Sequence, residues 1–253
     1  MTKQPLVLQR AAMDDVTVRT AIPYGDDGRV FDLYLPDDPP EPPPVVVLAT
    51  GYADAAMAAM LGCPLKDMQG YIDWARLLAS EGLAAVTYVN RDPANDLAAV
   101  LEHLRGSELE IDATRIGLWA ASGNVPNAVG MLRADGGKTV RCAALLYGYV
   151  LDIDGADDVS TAANQFRFVD PGVQLSEVPR VPTMLVRAGA DAMPGINACI
   201  DRFTAAALAA DFPLTLVNHA GGPHAFDLTD DRAEARTVIE GVLRFLATHL
   251  RRA

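Results

Sequence analysis

The chain has 253 residues, half of them hydrophobic, enough to bury a sizeable core in one large α/β domain or two small ones. It carries 21 basic and 33 acidic residues, a net charge of −12, so it lacks the basic surface that nucleic acid or an anionic membrane would require. No apolar run approaches the roughly 20 residues of a membrane helix, and the three cysteines, Cys63, Cys142 and Cys199, form neither a disulfide framework nor a metal-ligand pattern.

The first residues, MTKQPLVLQRAAMDD, lack the apolar stretch of a signal peptide, so the expected location is the cytoplasm. DVTVRTAIPY and RVFDLYLP read as two strands joined by the turn signal GDDG. DDPPEPPP is a rigid connector whose prolines are unsuited to a sheet interior. VVVLATGY is a continuous apolar run, as in a parallel strand buried on both faces. Residues 53–70 carry small residues and methionine, without a clear period. Residues 71–81 predict a helix that stops at Gly82, and LAAVTYVN predicts the next strand.

Asp92 and Pro93 predict a helix start, a capping carboxylate and a first-turn proline. Leu97, Val100, Leu101 and Leu104 then share one face. RIGLWAA is a strand, followed by a helix with Val125, Ala128, Val129 and Leu132 on its apolar side and Pro126 in its first turn. VRCAALLYGYV, VPTMLVRAG and FPLTLVNHA predict three more strands, with an acidic, irregular insertion over 151–180. Ile196, Ile200, Phe203 and Ala207 mark one later helix, and Ile239, Val242, Leu246 and Leu250 the closing one. Cys142 and Cys199 read as small core residues. This order predicts a single α/β domain over 1–253, with a mostly parallel central sheet and helices on both faces. Ligands of such sheets bind at the carboxyl ends of the strands.

Three chemically suited residues follow predicted strands. Ser122 follows RIGLWAA, with Gly123 next to it. Asp191 follows VPTMLVRAG, and His224 lies in GGPHAFD after the last strand. The local pattern Ala120-Ala121-Ser122-Gly123-Asn124 replaces both outer glycines of GxSxG, and asparagine tolerates positive φ. The chain order Ser, Asp, His outweighs that weak local motif. In these roles His224 is the base for the Ser122 hydroxyl, and Asp191 orients His224. The oxyanion needs donors, expected at the Gly123 N–H and in the loop after VVVLAT, at Gly51 or Tyr52. The Tyr52 side chain is placed to line the acyl pocket.

The stretches VVLATGY, RIGLWAASGN, LVRAGADAMPG and NHAGGPHAFD give the chain a resemblance to the α/β-hydrolase superfamily, and within it to the dienelactone-hydrolase-like group. The resemblance spans nearly the whole chain. It implies an α/β-hydrolase fold with a small or minimal cap, and hydrolysis of an ester or lactone through an acyl-enzyme. The nucleophile maps onto Ser122, the acid onto Asp191 and the base onto His224, with no cofactor and no metal. Serine stands where dienelactone hydrolases use cysteine, and Thr50-Gly51 where many relatives have His-Gly.

The expected partner is a small-molecule ester, with no nucleic acid or membrane involved, and the chain a monomer or homodimer. Rival readings keep the triad and change the acyl acceptor, giving an acyltransferase or perhydrolase, or make the fold a non-catalytic binding scaffold. His219 is a rival base that more simply supports its loop by a hydrogen bond. Asp152 and Asp154 are rival acids in what reads as a solvated loop. His103 and His249 read as helix-surface residues, and Trp119 as core beneath the serine. Met57, Met60 and Met68 line an apolar mouth or fill ordinary gaps. The segments 53–70 and 151–180 are candidate lids.

Overall fold

The computed structural model describes residues 2–25, 28–172 and 174–251. Asp26 and Asp27 of the expected GDDG turn lie outside the described residues, as do Met1, Val173 of the 151–180 insertion, and the last two residues.

Eight strands form one sheet: β1 (Thr17–Tyr24), β2 (Arg29–Leu35), β3 (Pro44–Leu48), β4 (Ala84–Tyr88), β5 (Asp112–Ala121), β6 (Val140–Leu146), β7 (Thr183–Ala188) and β8 (Leu214–His219). Their order across the sheet is β1-β2-β4-β3-β5-β6-β7-β8. β1 pairs antiparallel with β2 and β2 antiparallel with β4, and every later pairing is parallel. The helices are α1 (Asp54–Leu61), α2 (Gln69–Ser80), α3 (Pro93–Gly106), α4 (Val125–Asp135), α5 (Asp158–Phe166), α6 (Ile196–Ala209), α7 (Phe226–Thr229) and α8 (Ala233–Leu250).

The alternation of side chains along a strand divides the core in two. Val45 and Val47 of β3 face one layer with Leu118 of β5, and meet Leu97 and Val100 of α3, Val129 of α4 and Ile200 of α6. Val46 and Leu48 face the other layer with Trp119, and meet Trp74 and Leu78 of α2 and Ile239 and Val242 of α8. Both faces are covered, which is why the central strands read as continuous apolar runs. Among the described residues, no helix is long and apolar enough to cross a membrane.

Several local expectations change. Pro44, the last proline of the connector, is the first residue of β3, a position where a strand tolerates it. Asp92 does not cap α3 with its side chain. Asp96 instead accepts the N–H groups of Arg91 and Asp92, at 2.6 and 3.0 Å, from inside the first turn. β6 ends at Leu146 rather than running to Val150, because Tyr147 turns into the left-handed region with φ +36°.

The 151–180 insertion is not irregular throughout. It contains α5, whose buried face is only Val159, Ala162 and Ala163, too small an apolar stripe to stand out. Likewise 53–70 contains α1, an alanine- and methionine-rich helix without an apolar stripe. There Met57 and Met68 are buried and Met60 is exposed.

The start of α1 is tied to the end of β4 by a reciprocal pair. The Asp54 N–H donates to the Asn90 carbonyl at 2.7 Å, and the Asn90 N–H donates to Asp54 Oδ2 at 2.9 Å. Burial pushes the Asp54 carboxyl up to about 6, from an ordinary value of 3.8. Between those two values the folded chain binds more protons than the unfolded one, so this group lowers folded-state stability as pH rises through that window. Asp54→Asn cannot titrate. Its melting temperature relative to wild type is therefore expected to climb from about pH 4 to about pH 7 and then level off, as read by thermal unfolding across pH. A pH-independent difference would contradict this.

Candidate active site

β5 delivers Ser122 at its carboxyl end, where the backbone turns sharply into α4. Ser122 has φ +58°, a left-handed conformation that is unfavourable for a residue with a β-carbon. Ser122–Asn124 form a single 3-10 turn that leads into α4. The turn is crowded. A β-carbon on Gly148, just beyond β6, would collide with the Ser122 carbonyl and the Val125 side chain. Ser122 itself is partly exposed.

Ser122 Oγ lies 2.9 Å from His224 Nε2, and His224 Nδ1 lies 2.7 Å from Asp191 Oδ2. The Asp191 side chain is fully buried, while that of His224 remains 25% exposed. Asp191 is fixed at its other oxygen, which accepts the Met193 N–H at 2.8 Å. The loops carrying Asp191 and His224 are tied together by backbone hydrogen bonds, from the Gly189 N–H to the His219 carbonyl and from the Ala190 N–H to the Gly222 carbonyl. The Tyr147 ring meets His224 edge-on at 5.1 Å. Tyr147 is held in turn by its hydroxyl, which donates to the buried Asp227 at 2.6 Å, and Trp74 Nε1 donates to the other Asp227 oxygen. Burial raises the Asp227 carboxyl above its ordinary value.

The rival residues have other partners. His219 Nε2 pairs with Asp230 at 2.9 Å in a buried contact under the His224 loop. The Arg232 guanidinium, together with His219, holds the Asp230 carboxyl well below the usual carboxylate range. Asp152 accepts the N–H groups of Val159 and Ser160 at the start of α5. His103 meets the Phe31 ring, and His249 the Phe245 ring. Cys142 and Cys199 are buried. Trp119 is buried beneath the turn against Tyr71 and Trp74. Among the described residues, no group of three or more His, Cys, Asp or Glu side chains is placed to hold a metal ion.

The loop after β3 is anchored through Thr50. The Thr50 N–H donates to the Tyr88 hydroxyl, and the Thr50 carbonyl accepts from the side chains of Asn90 and Asn127. The backbones of this loop and the serine turn then press together, since a β-carbon on Gly51 would stand 2.7 Å from the Gly123 carbonyl oxygen. The Gly51 N–H donates to Asn124 Oδ1 at 2.7 Å, and Asn124 Nδ2 donates to the Tyr71 hydroxyl and the Ala121 carbonyl. Gly51 therefore has no free N–H for a ligand. Among the described residues, the N–H groups of Gly123 and Tyr52 have no partner. The Tyr52 ring meets Phe168 edge-on at 5.9 Å, and Phe168 stacks on Tyr149. The Val169 N–H reaches the Gly51 carbonyl at 3.3 Å, so the 151–180 insertion borders the serine turn.

Solved structures with this architecture include the α/β hydrolase LAE6 from the metagenome of Lake Arreo, Spain, at TM-score 0.69 and 16% identity, covering 94% of this chain and 86% of that one. The chain has the α/β-hydrolase fold. EstE1, a thermophilic carboxylesterase cloned from a metagenomic library, aligns at TM-score 0.73 and 16% identity over 97% of this chain and 92% of its own. Bacterial heroin esterase aligns at TM-score 0.69 and 21% identity over 95% and 86%. No protein-family profile and no curated protein sequence matches the chain.

Within this α/β-hydrolase fold, Ser122, Asp191 and His224 come together, and Gly123 and Tyr52 border the serine. Gly51 supplies close backbone approach but not a donor. Asn124 was expected to matter for its tolerance of positive φ. Instead it is in an ordinary right-handed conformation at φ −90°, Ser122 carries the positive φ, and the Asn124 amide binds the two loops together. Gly148 and Asn124 are the residues that sequence reasoning missed. The glycine in LLYGYV, directly after a strand, was the available signal for the first.

Asn124→Ala leaves the buried Gly51 N–H and the Tyr71 hydroxyl without their partner. The expected cost is about 1–3 kcal/mol, seen in urea titration as a lower midpoint at unchanged slope. An unchanged midpoint would show that the amide does not hold the loops.

Proposed function

We propose that the protein is a serine hydrolase that cleaves carboxylic esters through an acyl-enzyme on Ser122. The observation that carries this reading is the continuous hydrogen-bonded series Ser122–His224–Asp191, built on a left-handed turn and open to solvent at the serine. Serine is a poor nucleophile at its free pKa and needs an adjacent base. His224 Nε2 takes the hydroxyl proton as Oγ attacks the ester carbonyl carbon, and the carbonyl π electrons move onto its oxygen. Collapse of that adduct expels the alcohol, which receives the proton from His224. Water then repeats the sequence, releasing the acid and restoring Ser122. The buried Asp191 carboxylate holds the Nδ1–H side of the ring and stabilises the imidazolium.

The Gly123 N–H is one oxyanion donor, and with Gly51 committed to Asn124 the loop after β3 contributes through Tyr52. The esterase names of the similar structures agree with an ester substrate. A lactone contains the same bond closed into a ring and passes through the same steps, in keeping with the resemblance to the dienelactone-hydrolase-like group. A binding-only scaffold gives no reason for a fully assembled triad. The chemistry needs neither metal nor cofactor.

Hydrolysis of p-nitrophenyl esters by wild type and Ser122→Ala tests this, alongside intact mass after a fluorophosphonate probe. The wild type is expected to turn over and gain one adduct. Ser122→Ala should lose kcat by about 10⁴-fold or more, gain no adduct and keep its urea midpoint. Equal turnover by the two proteins, or a folded wild type that is inert to both reagents, would overturn the reading.

A further inference from the structure

We infer that the side-chain hydroxyl of Tyr52 donates a hydrogen bond to the oxyanion formed on Ser122, adding a side-chain donor to the backbone N–H groups of the oxyanion hole. The inference rests on the proposed role of Ser122 as the nucleophile. It starts from the donors at the site: the Gly51 N–H is committed to Asn124 Oδ1 at 2.7 Å, while the Gly123 and Tyr52 N–H groups and the Tyr52 hydroxyl are without partners among the described residues.

The Tyr52 side chain folds back over the residue that follows the nucleophile. A β-carbon on Gly123 would collide with the Tyr52 hydroxyl, and would stand 2.8 Å from Cζ and 3.0 Å from Cε2 of its ring. Only glycine leaves room for the tyrosine there. The hydroxyl thus sits beside the unpartnered Gly123 N–H, on the turn from which Ser122 Oγ emerges.

Among the described residues that hydroxyl has no hydrogen-bond partner. The ring is packed against Phe168 while the residue stays partly exposed, so the hydroxyl oxygen is reachable from the site. The packing fixes the ring, and the hydroxyl is left with a free proton to direct. Burial also pushes the Tyr52 hydroxyl up to about 12, so it stays protonated at neutral pH.

The hydroxyl transfers no proton. As Oγ bonds to the carbonyl carbon, the carbonyl electron pair localises on oxygen, and the Tyr52 O–H and Gly123 N–H both point at that negative charge. A donor held in place beforehand in a half-buried site strengthens its bond as charge develops, so its effect falls on the chemical step and not on ground-state binding.

Tyr52→Phe removes the hydroxyl and keeps the ring against Phe168. With a p-nitrophenyl ester, kcat is expected to fall about 10²- to 10³-fold, with KM within a few-fold and the urea midpoint unchanged. Affinity for a trifluoromethyl ketone, which forms a hemiketal oxyanion on the serine, is expected to fall by a similar factor. Unchanged kcat, or a loss confined to KM, would overturn the inference while leaving Ser122 as the nucleophile. If wild type itself neither turns over nor takes the fluorophosphonate, the hydrolase reading fails and this inference with it. A crystal structure of wild type with the ketone bound provides a check independent of any variant. The hemiketal oxygen is expected within hydrogen-bond reach of Tyr52 Oη, and an oxygen directed elsewhere would overturn the inference.

Discussion

The left-handed backbone at Ser122 is the constraint around which the rest of the molecule is arranged. A non-glycine residue at φ +58° carries a cost of order 1–3 kcal/mol and persists only where its surroundings leave no alternative. Here β5 enters the turn flanked by β3 and β6 in the middle of the sheet, and α4 leaves it with Val125, Ala128 and Val129 in the core. Gly148 passes beneath without a side chain, and Trp119 fills the layer below. The strain lifts Oγ away from the sheet and toward His224. A relaxed turn would keep the same residues and lose the geometry.

That turn is useful only because two other strand ends are positioned against it. β7 and β8 are adjacent and parallel, so the loops that follow them emerge side by side and bond to one another through Gly189 and Ala190. Asp191 and His224 are therefore set by sheet register more than by their own loops. The second layer of polar groups has the same purpose. The pair His219–Asp230, with Arg232, stiffens the His224 loop from below, and Asp227 holds the Tyr147 ring against His224. On the opposite side, Asn124 and Asn127 reach from α4 and the turn before it to the loop after β3, so the serine turn and that loop form one hydrogen-bonded body.

Much of this was readable in the sequence, for physical reasons that can be named. The central strands declared themselves because burial on both faces requires continuous apolar runs. Ser122 and Asp191 were singled out just past two such runs, and His224 in the loop after the edge strand β8, whose residues are largely exposed. What escaped is whatever depends on contact at a distance. Asn124 departs from a glycine pattern, and nothing in its neighbours shows that its amide binds Gly51, 73 residues earlier. Gly148 matters through the Ser122 carbonyl across a strand boundary. α5 hid because Val159, Ala162 and Ala163 bury a narrow face, and Asp92 lost its expected cap to Asp96 one turn further on. Tyr52 was legible as a residue of the loop after β3, but the folding of its ring over Gly123 is a property of packing.

The proposed mechanism requires that Ser122 become covalently acylated. The most direct measurement mixes the protein with excess p-nitrophenyl acetate, quenches with acid during turnover, and maps the acetyl group by peptide mass spectrometry. One acetyl group on the peptide bearing Ser122, formed together with the first equivalent of p-nitrophenol, is the predicted result. Turnover with the acetyl group on another residue, or with no acetylated peptide at all, would contradict it.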